Sequence, residues 1–173
     1  MTLSAGNVTR MVASYSYDDI GRLVSLKRSG NAGIVNYAYN IRNWLKEAKS
    51  DRSCQNLLYE NTGAYPCFNG NISRMQWQTS KDNVLRVYDF AYDGLNRLEE
   101  STYAEGAGMS QNKNRYSENI LSYSPNGSIE RLQRYGKKNN GTFGLIDDLT
   151  YAYNGNQIKS ISDKAGSLLY DGS

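Results

Sequence analysis

The sequence contains no histidine among its 173 residues. Its absence excludes Ser-His-Asp and Cys-His nucleophile arrangements and every metal site that depends on imidazole. The two cysteines, Cys54 and Cys67, are too few for a thiolate zinc site. They could form a disulfide or remain two free thiols, and the sequence leaves both possibilities open.

Long apolar runs are also missing. A membrane helix needs roughly 18 or more consecutive apolar residues, so no membrane span is predicted. The N-terminal stretch "MTLSAGNVTRMVAS" has no basic region followed by an apolar one, and no signal peptide is visible. The 20 Lys and Arg residues are scattered and the net charge is only +3, which argues against nucleic-acid binding. No nucleotide or other cofactor is predicted, because "EGAG" lacks the third glycine of a dinucleotide fingerprint.

Tyrosine is abundant where phenylalanine is scarce. The chain has 15 Tyr against 3 Phe and 2 Trp. Tyrosine supplies a large apolar face together with a hydroxyl that needs water or a hydrogen-bond partner. This composition predicts a thin, partly hydrated layer of structure more than a thick dry core.

One short pattern recurs along the chain. It begins as "YSYDDIGRLVS" at Tyr15 and returns as "YAYNIRNWLKEA" at Tyr37 and "FAYDGLNRLEES" at Phe90. Looser copies are "CFNGNISRMQW", "SYSPNGSIERLQRYG" and "YAYNGNQIKSIS". The second aromatic residue of the six copies is Tyr17, Tyr39, Phe68, Tyr92, Tyr123 and Tyr153. The spacing of these six residues fits two strands and a connection, and it therefore predicts a repeated hairpin.

Each copy has the pattern of a β-hairpin. Aromatic residues two apart lie on one face of a strand, and the Asp, Asn, Pro and Gly residues that follow favour a turn. An aliphatic residue such as Leu23 or Leu98 then begins the return strand. We therefore predict one all-β region over residues 1–173, with about six consecutive antiparallel hairpins in one curved, open strip of sheet. Tyrosines of successive copies should be cross-strand neighbours, and the end strands should remain exposed.

Two polar, glycine-rich segments interrupt the repeats. "AEGAGMSQNKNRYSEN" begins at Ala104 and "YGKKNNGTFGLIDD" begins at Tyr135. Segments of this composition usually connect elements at the surface. We expect both to protrude from the sheet or to be mobile.

The repeat resembles the YD repeat of the RHS family, whose pattern is an aromatic residue, any residue, Tyr-Asp, two residues and Gly-Arg-Leu. The resemblance extends from about Ser14 to Ser162, and other phrases are similar to RHS proteins of Bacteroidetes. Asn40 and Asn154 replace the aspartate, and Trp44 replaces the arginine. The residues that carry the resemblance are Tyr15, Tyr17, Asp18, Gly21, Arg22, Leu23, Tyr37, Tyr39, Tyr92, Asp93, Arg97, Leu98, Tyr123, Tyr151 and Tyr153.

The resemblance implies a structural function. In this family the strip of hairpins forms a hollow shell that can enclose a C-terminal toxin, and the proteins are typically exported or surface-associated. The chain stops at "LLYDGS", where another repeat would continue, so it looks like an incomplete part of a polymorphic-toxin shell. Expected partners are the remaining repeats, an effector domain, or another copy that pairs through the exposed strand edges.

Two other functions remain open from the residues. Aromatic rings flanked by Asn and Arg suit sugars, and Trp44 and Trp77 are the first candidates for a carbohydrate-binding or adhesive surface. A hydrolase is less favoured, because neighbouring carboxylates such as Glu99 and Glu100 should point to opposite faces of a strand. The basic residues Arg22, Arg97 and Lys159 are expected to pair with turn acids or stack on tyrosine rings.

Overall fold

The computed structural model describes residues 2–5, 8–29, 33–60 and 65–165. Within these ranges the secondary structure is entirely β, which fits a sequence rich in tyrosine and in turn-forming Asn, Asp and Gly. The strands are β1 (Thr2–Ala5), β2 (Val8–Met11), β3 (Ala13–Tyr17), β4 (Leu23–Arg28), β5 (Ile34–Tyr39), β6 (Leu45–Lys49), β7 (Ser53–Leu58), β8 (Arg74–Thr79), β9 (Arg86–Tyr92), β10 (Leu98–Glu105), β11 (Glu118–Tyr123), β12 (Ile129–Lys137), β13 (Phe143–Asn154) and β14 (Gln157–Asp163).

The strands follow one another in the sheet in the order in which they occur along the chain. β1 and β2 form a two-stranded sheet, and β3 to β14 form a twelve-stranded sheet with no crossover. The order ends at β3 on one side and at β14 on the other, so the sheet is open. The prediction of an all-β strip of consecutive antiparallel hairpins is confirmed. The described residues contain no helix that could cross a membrane.

The chain divides into two compact units. One comprises Met1–Leu58 and Met75–Leu85, and the other comprises Tyr59–Arg74 and Arg86–Ser173. In the first unit, Ala13 and Leu26 are buried. In the second, Val87 and Tyr103 are almost fully enclosed together with the polar side chain of Ser73. Few side chains are fully buried, as the scarcity of large aliphatic residues leads one to expect.

The turns of the hairpins share one backbone geometry. In copy one the carbonyl of Asp18 accepts from the N–H of Gly21 at 3.0 Å, and its N–H donates to the carbonyl of Arg22 at 2.9 Å. Gly21 has φ +84°, the left-handed conformation that follows a type I turn in such hairpins. The same pattern begins at Asn40, Asp93, Ser124 and Lys138. The left-handed residue of these four turns is Asn43, Asn96, Gly127 or Gly141.

The first side chain of the turn holds the turn closed. Asp93 Oδ1 accepts from the backbone N–H of Leu95 at 2.8 Å and of Arg97 at 2.9 Å, while Oδ2 accepts from Arg97 Nε at 2.5 Å. Asp18 makes the equivalent three bonds. These bonds lower the pKa of both carboxyl groups, and the bond from the arginine backbone N–H has the largest effect. Asn40 keeps only the two bonds to the backbone.

Copies three and six depart from the common turn. In copy three, Cys67 and Phe68 lie outside any strand, so the hairpin predicted for "CFNGNISRMQW" keeps only its return strand, β8. Its short "FNG" segment instead bends sharply, with Gly70 at φ +100°. In copy six, Asn154 pairs with Gln157, which leaves a two-residue turn of Gly155 and Asn156. This turn is therefore shorter than the turns that begin at Asp18, Asn40, Asp93 and Ser124.

The two glycine-rich segments are more ordered than predicted. In the first, Ser117 is buried and its Oγ accepts from the N–H of Tyr103 at 2.8 Å, while the N–H of Asn114 donates to the Tyr103 carbonyl at 2.9 Å. In the second, β12 and β13 continue through most of the segment, and only the turn from Lys138 to Thr142 connects them. Composition failed in the first segment because the Ser117 side chain satisfies a backbone group of β10, and in the second because β12 and β13 extend into it.

The turn carboxylate can be tested by a graded substitution. Asp93→Asn keeps the acceptor for the backbone and loses the ion pair with Arg97, whereas Asp93→Ala loses both. We expect the urea midpoint at pH 7 to fall in the order wild type, Asn variant, Ala variant.

The pH dependence follows from the lowered pKa of Asp93. A carboxyl group with a lowered pKa in the folded state stabilises the protein above its unfolded pKa of about 3.9. That contribution disappears as the pH falls through the folded value. The gap between wild type and the Asn variant should therefore be largest above about pH 4 and narrow as the pH falls below it, and a gap that stays constant with pH contradicts the assignment.

Candidate functional site

Among the described residues, a tyrosine hydroxyl joins four of the six copies to the copy before it; copy three has Phe68 at this position and lacks the hydroxyl. Tyr39 donates to the carbonyl of Leu23 at 2.9 Å, and Tyr123 donates to the carbonyl of Leu98 at 2.5 Å. The same bond connects Tyr92 to Ile72 at 3.0 Å and Tyr153 to Ile129 at 2.6 Å. The donor is always the second aromatic of a copy, and the acceptor is always the backbone of the aliphatic residue in the preceding copy. We call this contact the tyrosine junction.

The registry of the hairpins explains why the hydroxyl reaches this carbonyl. Each motif tyrosine faces the aliphatic residue of its own hairpin, as in Tyr123 with Ile129 and Tyr153 with Ile158. A register shift next to that pair accompanies the left-handed turn residue. The prediction that motif tyrosines of successive copies stand side by side is therefore wrong. The hydroxyl, not the ring face, carries the contact between copies.

An arginine strengthens two of the junctions. The guanidinium carbon of Arg22 lies 4.9 Å from the ring centroid of Tyr39, and that of Arg97 lies 4.4 Å from the ring of Tyr123. Each guanidinium is fixed by the turn aspartate of its own copy. The prediction that Arg22 and Arg97 pair with turn acids and stack on tyrosine is confirmed. Lys159 lies on β14, whose side chains are all exposed.

Burial favours the protonated hydroxyl that the junction needs. It raises the pKa of Tyr92, and it raises the pKa of Tyr123 despite the opposing effect of the Arg97 charge. Both hydroxyls are thus donors throughout the physiological pH range.

Side chains of neighbouring turns also contact one another. Arg22 Nη1 donates to Asn43 Oδ1 at 2.7 Å. In the second unit, Asn71 Nδ2 donates to Asn96 Oδ1 at 3.3 Å, and Asn126 Nδ2 lies 3.5 Å from Asn156 Oδ1. Within each unit, these contacts connect neighbouring turns in addition to the tyrosine junctions.

Tyr103, which is almost fully buried, is the centre of an aromatic cluster in the second unit that sequence reasoning missed. Tyr103 lies 5.3 Å from Tyr88 and 5.1 Å from Tyr116 between ring centroids, both in edge-on geometry. Tyr116 in turn contacts Phe143 at 5.5 Å. The alternation of Tyr88 and Phe90 along β9 was the available signal, but it fell partly outside the repeat motif.

A carboxylate forms a hydrogen bond with the central tyrosine of this cluster. Glu105 accepts from the Tyr103 hydroxyl at 2.7 Å and from Asn112 Nδ2 at 2.5 Å. Burial opposes ionisation of Glu105, yet these hydrogen bonds outweigh it and its pKa is lowered. Burial also raises the pKa of Tyr103, and the hydrogen bond to Glu105 adds to the rise. The Tyr103 hydroxyl and the Glu105 carboxylate therefore both have structural partners.

An open groove of about 620 Å³ lies in the second unit beside copy three. Tyr65 and Phe68 form part of its wall and are 55% and 65% exposed. Tyr92, Asn71 and Asn96 also line it. Exposed rings beside amide groups could contact a ligand that has both apolar and hydroxyl-bearing surfaces.

Two adjacent carboxylates border the same groove. Glu99 and Glu100 both line it, next to the register shift between Leu98 and Glu100 in β10. A bulge at this point interrupts the regular alternation on which the expectation of divergent side chains rests. Glu100 is bound by the Thr102 hydroxyl at 2.5 Å. In contrast, Asp147 and Asp148 pair with Arg134 and Arg131.

The two tryptophans proposed for sugar binding do not line this groove. Both side chains are only partly exposed. The guanidinium carbon of Arg42 lies 5.2 Å from the Trp44 ring, and Trp77 lies on β8. Both tryptophans belong to the first unit, whereas the residues that line the groove belong to the second.

The described residues offer no obvious centre for metal or thiol chemistry. Cys54 and Cys67 are free thiols, which decides the question that the sequence left open. Burial raises the pKa of Cys67, so its reactive thiolate form is disfavoured. Within these ranges, no three His, Cys, Asp or Glu side chains come together as a metal site.

Comparison with known proteins adds no family assignment. No protein-family model matches the chain, and no curated protein matches it.

The tyrosine junction is tested most cleanly on β13, which carries two tyrosines. Tyr153→Phe removes only the hydroxyl that bonds to Ile129, and we expect a loss of about 0.5–1.5 kcal/mol in the free energy of unfolding. Tyr151→Phe on the same strand is the matched control and should change stability by much less. Urea denaturation measures both, and equal losses would contradict the junction.

Proposed function

We propose that the chain is a non-catalytic structural repeat module, a wall segment of an RHS-type shell that encloses or presents a C-terminal effector such as a toxin in a longer protein. The observation that carries this proposal is the tyrosine junction. Four copies of one donor and acceptor pair connect successive hairpins. A module built in this way is suited to extension by further copies.

The distribution of polar contacts supports a structural role. The turn aspartates are occupied by backbone N–H groups and arginines. Glu105 is occupied by the tyrosine cluster, and Asp89 binds Arg74 through two bonds of 2.5 and 2.8 Å. Carboxylates that hold main chain and guanidinium groups are poor proton donors or acceptors for a substrate. An extracellular or surface location belongs to the same proposal, since it follows from the resemblance to the RHS family.

The test is to express the natural reading frame with its flanking sequence and examine the product by electron cryomicroscopy. We expect further hairpins to continue the sheet and to enclose a following segment. Limited proteolysis supplies a second measurement: the enclosed segment should resist cleavage until the shell is unfolded. A natural product that ends near residue 173 and encloses nothing would contradict the proposal.

A carbohydrate-binding or adhesive surface is the second candidate, and the groove beside copy three favours it. Its exposed rings, Tyr65 and Phe68, could contact the apolar faces of a sugar, while Asn71, Asn96 and Glu99 could bind hydroxyl groups. Phe68 therefore joins Trp44 and Trp77 as a residue proposed to contact a sugar.

A glycan array with variants of the chain distinguishes binding in the groove from binding at the tryptophans. If the groove binds sugar, Phe68→Ala should reduce the signal about fivefold or more, taking for ring stacking the roughly 1–3 kcal/mol that aromatic side chains contribute to binding of a nucleobase. Trp77→Ala should leave it unchanged. Loss only with Trp77→Ala would favour the tryptophan surface, and a silent array would remove the candidate altogether.

A further inference from the structure

The two ends of the sheet carry the two halves of one tyrosine junction. Tyr17 is the motif tyrosine of the first copy, and it lies on the terminal strand β3. Ile158 is the motif aliphatic residue of the last copy, and it lies on the terminal strand β14. In the four junctions within the chain, a tyrosine in the position of Tyr17 donates to the carbonyl of a residue in the position of Ile158.

Exposure distinguishes these end residues from their internal counterparts. Tyr17 is 61% exposed, whereas Tyr39, Tyr92, Tyr123 and Tyr153 are all partly buried. Ile158 is 57% exposed, whereas the aliphatic residues of the four internal junctions are partly buried. All seven residues of β14 are exposed, including Ile161. At each end of the sheet, the residue in the position of a tyrosine junction is therefore exposed to solvent, whereas its internal counterparts are partly buried.

We infer that a second copy of this chain binds head to tail, with the β3 edge of one molecule along the β14 edge of the other and the Tyr17 hydroxyl donating to the Ile158 carbonyl. A short pairing suffices for such a contact, because β4 and β5 pair through only three residue pairs inside the chain. The contact is heterologous, so each association leaves one free edge of each kind. Assembly is thus open-ended unless the ends are covered.

This inference goes beyond the proposed function. A wall segment whose neighbouring hairpins all belong to the same polypeptide does not require self-association. Conversely, copies could associate through these edges in a protein that encloses no effector. The two proposals are therefore tested by different measurements. The structure of the natural longer product tests the shell, and the association of the 173-residue chain tests the head-to-tail contact.

The first experiment measures mass against concentration by size-exclusion chromatography with light scattering. The 173-residue chain should show a weight-average mass that keeps rising with concentration. Tyr17→Phe should weaken association about two- to tenfold, the effect of losing one hydrogen bond. Tyr15→Phe, on the same strand, is the control and should not. A monomer at all concentrations, a mass that stops at a dimer, or equal effects of the two variants would overturn the inference.

A second experiment tests direction. Lysines on an edge strand hinder pairing with another strand. The double variant Ser14→Lys with Ser16→Lys should therefore prevent pairing at the β3 edge. Ser160→Lys with Ser162→Lys should prevent it at the β14 edge. Each double variant alone should be monomeric, and their mixture should form a 1:1 heterodimer through the two open edges. Circular dichroism and thermal unfolding first establish that both variants fold. Folded variants that show no heterodimer, or that self-associate as the wild type does, would overturn the head-to-tail arrangement.

Discussion

A tyrosine hydroxyl that leaves water must find an acceptor, and this constraint organises the repeat. The strip has few large aliphatic side chains, so each hairpin buries only a modest apolar area of its own. The aromatic ring of the motif tyrosine provides that area, and its hydroxyl then has to be satisfied. The carbonyl that accepts from it belongs to the preceding hairpin. One side chain thus supplies both the apolar packing and the directional bond that fixes the next copy.

The turn and the junction are parts of one arrangement. The aspartate closes the turn through backbone N–H groups and also fixes the arginine over the tyrosine of the following copy. Copies that lack this pair retain the hydroxyl bond: Tyr153 reaches Ile129 although the turn of copy five begins with Ser124 and has no such arginine. The hydroxyl bond is therefore the common element, and the Asp and Arg pair reinforces it where both are present.

The sequence was informative where structure is local and repeated. Turn residues, the alternation of Tyr15 and Tyr17, and the aliphatic residue after the turn together predicted the hairpins and their order. It was less informative where one residue's surroundings come from several strands. The cluster around Tyr103 depends on Ser117, Tyr116 and Phe143, which no short pattern connects. The groove likewise depends on the irregular path of copy three and on the bulge at Glu99, neither of which the motif encodes.

The acceptor of the tyrosine junction is a backbone carbonyl, and this affects how such a chain can vary. Leu23, Ile72, Leu98 and Ile129 can exchange among aliphatic residues without loss of the oxygen that receives the bond. Substitution on one side of the junction then calls for no compensating substitution on the other. In related sequences, the tyrosine junction should therefore be visible only as tyrosines that recur at the repeat spacing. A search for pairs of co-varying positions would not detect it.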